Sequence, residues 1–240
     1  MIYKISFFVV LLAFLFSLEL QAQGVIKGFE YAEIINISQT YSHASSLSFD
    51  MQINYADSAR QDSITEQIPA SYKIQGGMYW AMVDSTEMIQ ASGYNVSVLL
   101  RDSVIIISNP QSSSNMMQLP IMDSLFRAQN VDSMNVTQIN DSTRSLRLYF
   151  NPSSYYSGYI FNYDLNTYLI HSVTYFIKTP AYDDGSGSGT SMVQVLFSNY
   201  STLPIDNSYF QQSKFIYNYG GKFVTVPPYT NFHLMVNTSK

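Results

Sequence analysis

From Leu47 to Tyr55 the chain reads Leu-Ser-Phe-Asp-Met-Gln-Ile-Asn-Tyr, apolar and polar side chains alternating without a break. Successive side chains of an extended strand point to opposite faces, so this stretch is a strand with one face in a core and the other in water. A strand wetted on one side belongs to an antiparallel sheet rather than to a βαβ repeat. Looser strand patterns follow at 72–75 and 78–83 around the turn signal Gly76-Gly77, then at 87–91, 96–100 and 104–108. The last two are joined by Arg101-Asp102-Ser103 and end at Asn109-Pro110. A hairpin at 134–139 and 144–150 turns on Asn140-Asp141-Ser142. Three long strands come next, in 156–164, 167–178 and 191–200, expected to form the closing edge of the sheet. The polar stretch Asp57 to Glu66 reads as a loop or hairpin end, and Tyr182 to Thr190 as a loop tip.

Two segments carry helical spacing. In Gly28 to Ser42, Phe29, Ala32 and Ile35 cluster on one side with Ile34, Ile37 and Tyr41 less cleanly, while Glu30 and Glu33 fall off it. In Pro120 to Gln129, Ile121, Met122, Leu125 and Phe126 share a face, and proline opens the helix where its missing N–H costs nothing. Strand signals continue across the short Ser-rich linker at 111–115, so residues 23–240 read as one domain of about ten strands and two helices, with no internal repeat.

Residues 1–22 have a different character. A basic start at Lys4, an apolar run from Ile5 to Leu18 and the ending Gln-Ala-Gln make the tripartite pattern of a secretory signal peptide of Gram-negative type, with cleavage near Ala22. The run is short for a bilayer span of ~20 residues. The expectation is an exported, periplasmic protein that is not an integral membrane protein. Cysteine is absent, which removes disulfides, thiol chemistry and thiolate metal sites, so packing alone must hold the fold. A net charge of -5 over the whole chain leaves no electrostatic footprint for nucleic acid or for an anionic membrane.

No reaction is written in the chain. His43, His171 and His233 are scattered, and His171, in phase with Leu169, Val173 and Tyr175, reads as an interior or rim residue. Asp183-Asp184-Gly185-Ser186-Gly187 lacks the spaced oxygen ligands of a calcium loop and fits neither a nucleophile elbow nor a dinucleotide fingerprint. The Asn-X-Ser/Thr triplets are those expected of an Asn- and Ser-rich chain. The expectation is therefore no enzyme, no cofactor and no metal. What remains is apolar bulk from Phe, Tyr, Met and the single Trp80. It forms either a filled core or a greasy cavity, and the cavity would leave no motif. Each buried methylene of an acyl chain contributes ~0.8 kcal/mol without one hydrogen bond.

In order, the layout resembles the periplasmic lipoprotein-carrier (LolA-like) superfamily. The opening helix running into ASSLSFDMQINY, the hairpin VSVLLRDSVIIISNP followed by a short helix at Pro120, and the tail VQVLFSNYSTLPIDNSYF are similar to that family's elements. Lys73 and Trp80 stand alone where the carriers have Arg-Trp-rich strands, and the segment after Phe215 extends beyond the likeness. The resemblance implies a mainly β (α+β) fold, a single curved antiparallel sheet or half-open β-barrel with helices covering its concave face. It also implies a cavity for a lipid acyl chain or a lipidated protein. On the alternating strands and the second helix the cavity residues would be Phe49, Met51, Ile53, Trp80, Met82, Val98, Leu100, Ile121, Phe126, Leu146 and Leu148. The alternative is a cell-envelope component that binds another protein through strand edges or through Tyr217, Tyr219, Tyr229 and Phe232 of the C-terminal tail.

Overall fold

The computed structural model describes residues 28–58, 63–91, 93–110, 131–179 and 189–238. The expected signal peptide, the second helix at 120–129 and the glycine-rich loop tip lie outside the described residues. Helix α1 (Phe29–Ser42) is followed by β1 (Ser46–Ala56), β2 (Ile64–Gln75), β3 (Met78–Val83), β4 (Thr86–Gln90), β5 (Asn95–Leu99) and β6 (Val104–Ser108). Then come β7 (Val131–Gln138), β8 (Thr143–Phe150), β9 (Tyr156–Asp164), β10 (Ile170–Thr179) and β11 (Gly189–Ser201). Short 3-10 turns and the strands β12 (Ile216–Tyr219), β13 (Lys222–Thr225) and β14 (His233–Asn237) complete the chain.

Twelve strands form one curved, open sheet in the order β14-β6-β5-β4-β3-β2-β1-β11-β10-β9-β8-β7, and β12 and β13 make a separate hairpin. The sheet is mixed rather than antiparallel throughout, because β14 pairs with β6 in parallel register, Leu234 opposite Ile105. Parallel pairing needs a long connection, and here β7 to β13 all lie between the two strands in the chain. The three strands β9, β10 and β11 are not the closing edge. β11 pairs with β1, Met51 opposite Phe197, which puts them in the interior of the sheet and leaves β7 as its border.

Tight turns set the register. Gly76 and Gly77 both have positive φ, 56° and 81°, as a two-residue hairpin turn requires, and they place Gln75 opposite Met78. Strand β2 begins at Ile64, inside the stretch expected to be loop, because Glu66 and Gln67 extend the ladder opposite Tyr55 and Asn54 as an exposed ribbon whose backbone needs no apolar side chains. Pro69 is tolerated within it. The Pro69 carbonyl accepts from Asp84 N–H on the β3 side, and a residue's own N–H points the same way, so its missing donor falls just past the end of the β2–β3 ladder.

Directly opposed residues share a face, and following them across the sheet separates its two sides. One side, the helix face, carries Leu47, Phe49, Met51, Ala70, Leu146, Leu148, Tyr159, Phe161, Val173, Val195 and Phe197, all buried beneath Ile34, Ile37 and Tyr41 of α1. The other side, the tail face, carries Ile89, Val96, Val98, Ile105 and Ile107, all fully buried beneath Phe215 and Ile216 with Phe223, Tyr229 and Phe232 around them. The covered apolar side of the sheet thus changes from one face to the other between β1–β2 and β4–β6.

Two expectations are corrected at the residue level. The buried side of α1 is Glu33, Ile34, Ile37 and Tyr41, whereas Phe29 and Ala32 are exposed. The helix is turned toward Glu33 because that carboxylate has partners: Arg144 Nη1 donates to its Oε1 at 2.9 Å and the Tyr163 hydroxyl donates to Oε2. His171 is exposed, because the β9–β10 register shifts between Ile170 and Ser172 and the irregularity takes it out of phase with Val173.

Candidate functional site

Beyond the part covered by α1, the helix face continues without interruption onto the β3–β6 end of the sheet. One row runs Phe49, Tyr72, Ala81, Met88, Ser97, Ile106 and Met235, each residue opposite the next on the adjoining strand. The neighbouring row runs Met51, Ala70, Val83, Thr86, Leu99 and Val104. Met88, Leu99, Val104 and Ile106 are half-buried and Met235 is 41% exposed, and among the described residues none of them belongs to either buried cluster. Small side chains at Ala81, Thr86 and Ser97 alternate with these larger ones, so the surface is a shallow apolar trough with two hydroxyls in its floor.

The trough is bounded by a rigid aromatic block on the covered half. Phe49 stacks on Tyr72 at 5.5 Å between ring centroids and packs against Phe197 and Tyr200. Three hydrogen bonds around Ile170 close a ring that holds α1 to the sheet. Ile170 N–H donates to the Tyr41 oxygen at 2.9 Å, Tyr41 O–H donates to Tyr200 at 2.6 Å, and Tyr200 O–H donates to the Ile170 carbonyl at 2.9 Å. Burial pushes the Tyr41 phenol up to about 12 and raises that of Tyr200 as well. Burial likewise pushes Tyr175, which stacks on Tyr159 at 5.4 Å, up to about 12. These phenols stay neutral near pH 7, and those of Tyr41 and Tyr200 work as hydrogen-bonding struts.

The structure divides the residues singled out from the sequence. Phe49, Met51, Leu146 and Leu148 lie together on the helix face, buried in its core, with Ile53 half-buried beside them. Trp80, Met82 and Val98 lie on the opposite, tail face. Val98 is fully buried under the tail, and Leu100 sits in the β5–β6 turn, 39% exposed. Ile121 and Phe126 lie outside the described residues. Trp80 is fixed in a surface network: its Nε1–H donates to Glu87 Oε1 at 2.7 Å, its ring meets Tyr209 edge-on at 5.1 Å, and Lys73 lies over the Tyr209 ring at 4.7 Å. Lys214 reaches the same Glu87 carboxylate at 3.7 Å, so this cluster clips the tail to the sheet.

The trough residues Met88, Leu99, Val104 and Ile106 escape a reading of the sequence alone, because β6 is apolar on both sides and the short, mixed β4 and β5 do not say which of their faces continues that of β1. The signal that identifies them is turn length. Gly76-Gly77 and Asp84-Ser85 are both two-residue turns, and they carry the parity of β2 unchanged into β4. Tyr229 and Phe232 of the tail, candidates for partner contact, are taken up by packing with Phe215, with ring centroids 4.9 Å and 5.1 Å apart along the series Phe215, Tyr229, Phe232. Tyr217 and Tyr219 remain exposed.

Among the described residues no helix is long and apolar enough to cross a membrane, and no group of three His, Asp or Glu is placed to hold a metal ion. No family model matches the chain, and no curated protein matches it. Solved structures distantly similar to it include an uncharacterized conserved protein from Thermus thermophilus, 7% identical, with 86% of this chain and 99% of that one covered at a TM-score of 0.47. A DUF1329 family protein from Desulfovibrio piger is 11% identical, with 77% and 96% covered at a TM-score of 0.36. A LolA superfamily protein from Nitrosomonas europaea is 9% identical, with 78% and 99% covered at a TM-score of 0.33. The likeness is one of structure, and distant.

Proposed function

We propose that the protein is an exported, periplasmic, non-catalytic binder or carrier of a lipid acyl chain or of a lipidated protein. The acyl chain lies along the helix-face trough formed by Met88, Leu99, Val104, Ile106 and Met235, with Val83 and Tyr72 where the trough meets the covered core. The observation that carries this reading is the continuity of the helix face: rows packed under α1 run on across four more strands, where Met88, Leu99, Val104 and Ile106 are half-buried and Met235 is exposed. Lining a methylene chain with apolar side chains stabilises it by up to ~0.8 kcal/mol for each CH2 taken out of water. Such a surface recognises chain length and fluidity rather than a headgroup, which fits a trough whose polar groups are two hydroxyls.

Native mass spectrometry of the protein purified from the envelope of a Gram-negative host tests this directly. The expected result is a series of adducts with the masses of acyl lipids, which collapse to the bare polypeptide after organic extraction and return on adding lipid. A bare polypeptide before extraction that also fails to take up added lipid would overturn the reading.

A further inference from the structure

The β12–β13 hairpin lies on the tail face and has its own outward side. Ile216 opposite Thr225 and Asn218 opposite Phe223 form its inner side, where Ile216 is buried and Phe223 meets Tyr94 edge-on at 4.8 Å. Tyr217 opposite Val224 and Tyr219 opposite Lys222 form its outer side. There Tyr217 is 48% exposed, Tyr219 77% and Val224 38%. The turn between them is Gly220-Gly221, with φ of 58° and 80°, and Gly221 N–H donates to Asn218 Oδ1 at 3.1 Å. The hairpin is therefore held in one shape, its aromatic side already presented and its inner side anchored.

Charge separates this region from the rest of the chain. All seventeen Asp and Glu residues precede residue 207, so the last stretch of the polypeptide carries lysines and no carboxylate side chain. In a protein that is acidic as a whole, the outward side of this hairpin thus carries Lys222 and no acidic side chain of its own. Two phenols, an aliphatic side chain and an ammonium group on one small rigid surface match the interface of an anionic bilayer, where amphipathic rings sit at headgroup depth and lysine meets phosphate. The size of the surface decides against a protein partner. Two four-residue strands span roughly 13 Å by 10 Å, far below the ~800 Å² per partner of a stable protein interface.

We propose that the outward side of the β12–β13 hairpin is a docking surface for an anionic phospholipid bilayer. This does not rest on acyl binding in the trough, which lies on the other face of the sheet. The test is flotation of the full chain with vesicles of phosphatidylglycerol and phosphatidylcholine in equal parts, against phosphatidylcholine alone. The wild type floats with the anionic vesicles, loses them as salt is raised, and ignores the neutral ones. Lys222→Glu lowers the partition coefficient by at least about fivefold, the worth of one basic residue near such a surface. Tyr217→Ser with Tyr219→Ser lowers it comparably, whereas Lys222→Arg and the paired Tyr→Phe changes retain it. Because these side chains are exposed, circular dichroism and uptake of a fatty-acyl probe stay at wild-type level in every variant. Equal flotation with both vesicle types, no flotation at all, or full flotation of the serine and glutamate variants would overturn the proposal. So would an envelope protein crosslinked through Tyr217 or Tyr219 in a chain that ignores vesicles.

Discussion

At the scale of single residues, Asp50 and Asn199 hold the junction where the first strand meets the last long one. The β1–β11 register shifts between Ser48 and Asp50, and the extra residue on β11 leaves Asn199 at φ 54°. Asparagine tolerates this left-handed conformation better than other side chains, and its Nδ2 donates to Asp50 Oδ2 at 2.7 Å while Ser71 Oγ donates to Oδ1 at 2.5 Å. Asn199→Gly keeps the backbone and loses the hydrogen bond, costing about 1 kcal/mol. Asn199→Ala loses both and costs roughly 1 kcal/mol more. Urea unfolding of the two variants checks the order, and equal midpoints would contradict it. The Ser71 and Asn199 hydrogen bonds hold the Asp50 carboxyl below the usual carboxylate range, and the Thr167 N–H does the same for Asp164. With both folded-state pKa values depressed, their stabilisation is complete above the unfolded value of about 3.9 and disappears as pH falls through the folded ones. The urea midpoint should drop as pH falls below about 4, and Asp50→Asn should make that drop smaller. The alternation around Asp50 is plain in the sequence. The irregularity that pairs it with Asn199 is not, because an extra residue in one strand has no local signature.

At the scale of elements, α1 is oriented by a buried ion pair rather than by its apolar stripe. Glu33 is 2% exposed and bonds both Arg144 and Tyr163, and the Arg144 guanidinium lies over Phe29 at 5.1 Å. Arg144→Met leaves the carboxylate buried without its cation and should cost about 3 kcal/mol in urea unfolding. Glu33→Met together with Arg144→Met should recover at least half of that loss, since no lone charge remains. A double variant as unstable as Arg144→Met alone would contradict this. The helix itself was legible from its spacing to within a residue, but its rotation was not. Helical periodicity finds apolar side chains and is blind to a glutamate whose partners sit more than a hundred positions away. The same limit hid β14: His233–Asn237 is short, and its partner β6 lies more than a hundred positions earlier, with no turn to announce the pairing.

At the scale of the whole molecule, the chain builds one open sheet that is packed on different faces at its two ends. On the β1–β2 and β8–β11 half the helix covers one side; on the β4–β6 end the C-terminal tail covers the other. The mainly β class, the strand positions and the opening helix follow from period and turn chemistry. The change of side does not, because β4–β6 are short and β6 is apolar on both faces, and only the register decides which alternate set faces the tail. The consequence for function is specific. With the tail taking the outer set, the helix-face set of Met88, Leu99, Val104 and Ile106 is left as surface, and that surface is the proposed seat of an acyl chain.

A titration of delipidated protein with a fluorescent fatty acid measures that claim most directly, comparing Ile106→Asp with Leu196→Asp. Leu196 is a 38% exposed residue on the tail-face side of β11 and serves as the matched control. The wild type and Leu196→Asp should bind the probe equally, and Ile106→Asp should weaken binding at least tenfold, about 1.4 kcal/mol, by placing a carboxylate in the trough. Undiminished binding by Ile106→Asp, or an equal loss in both variants, would contradict it.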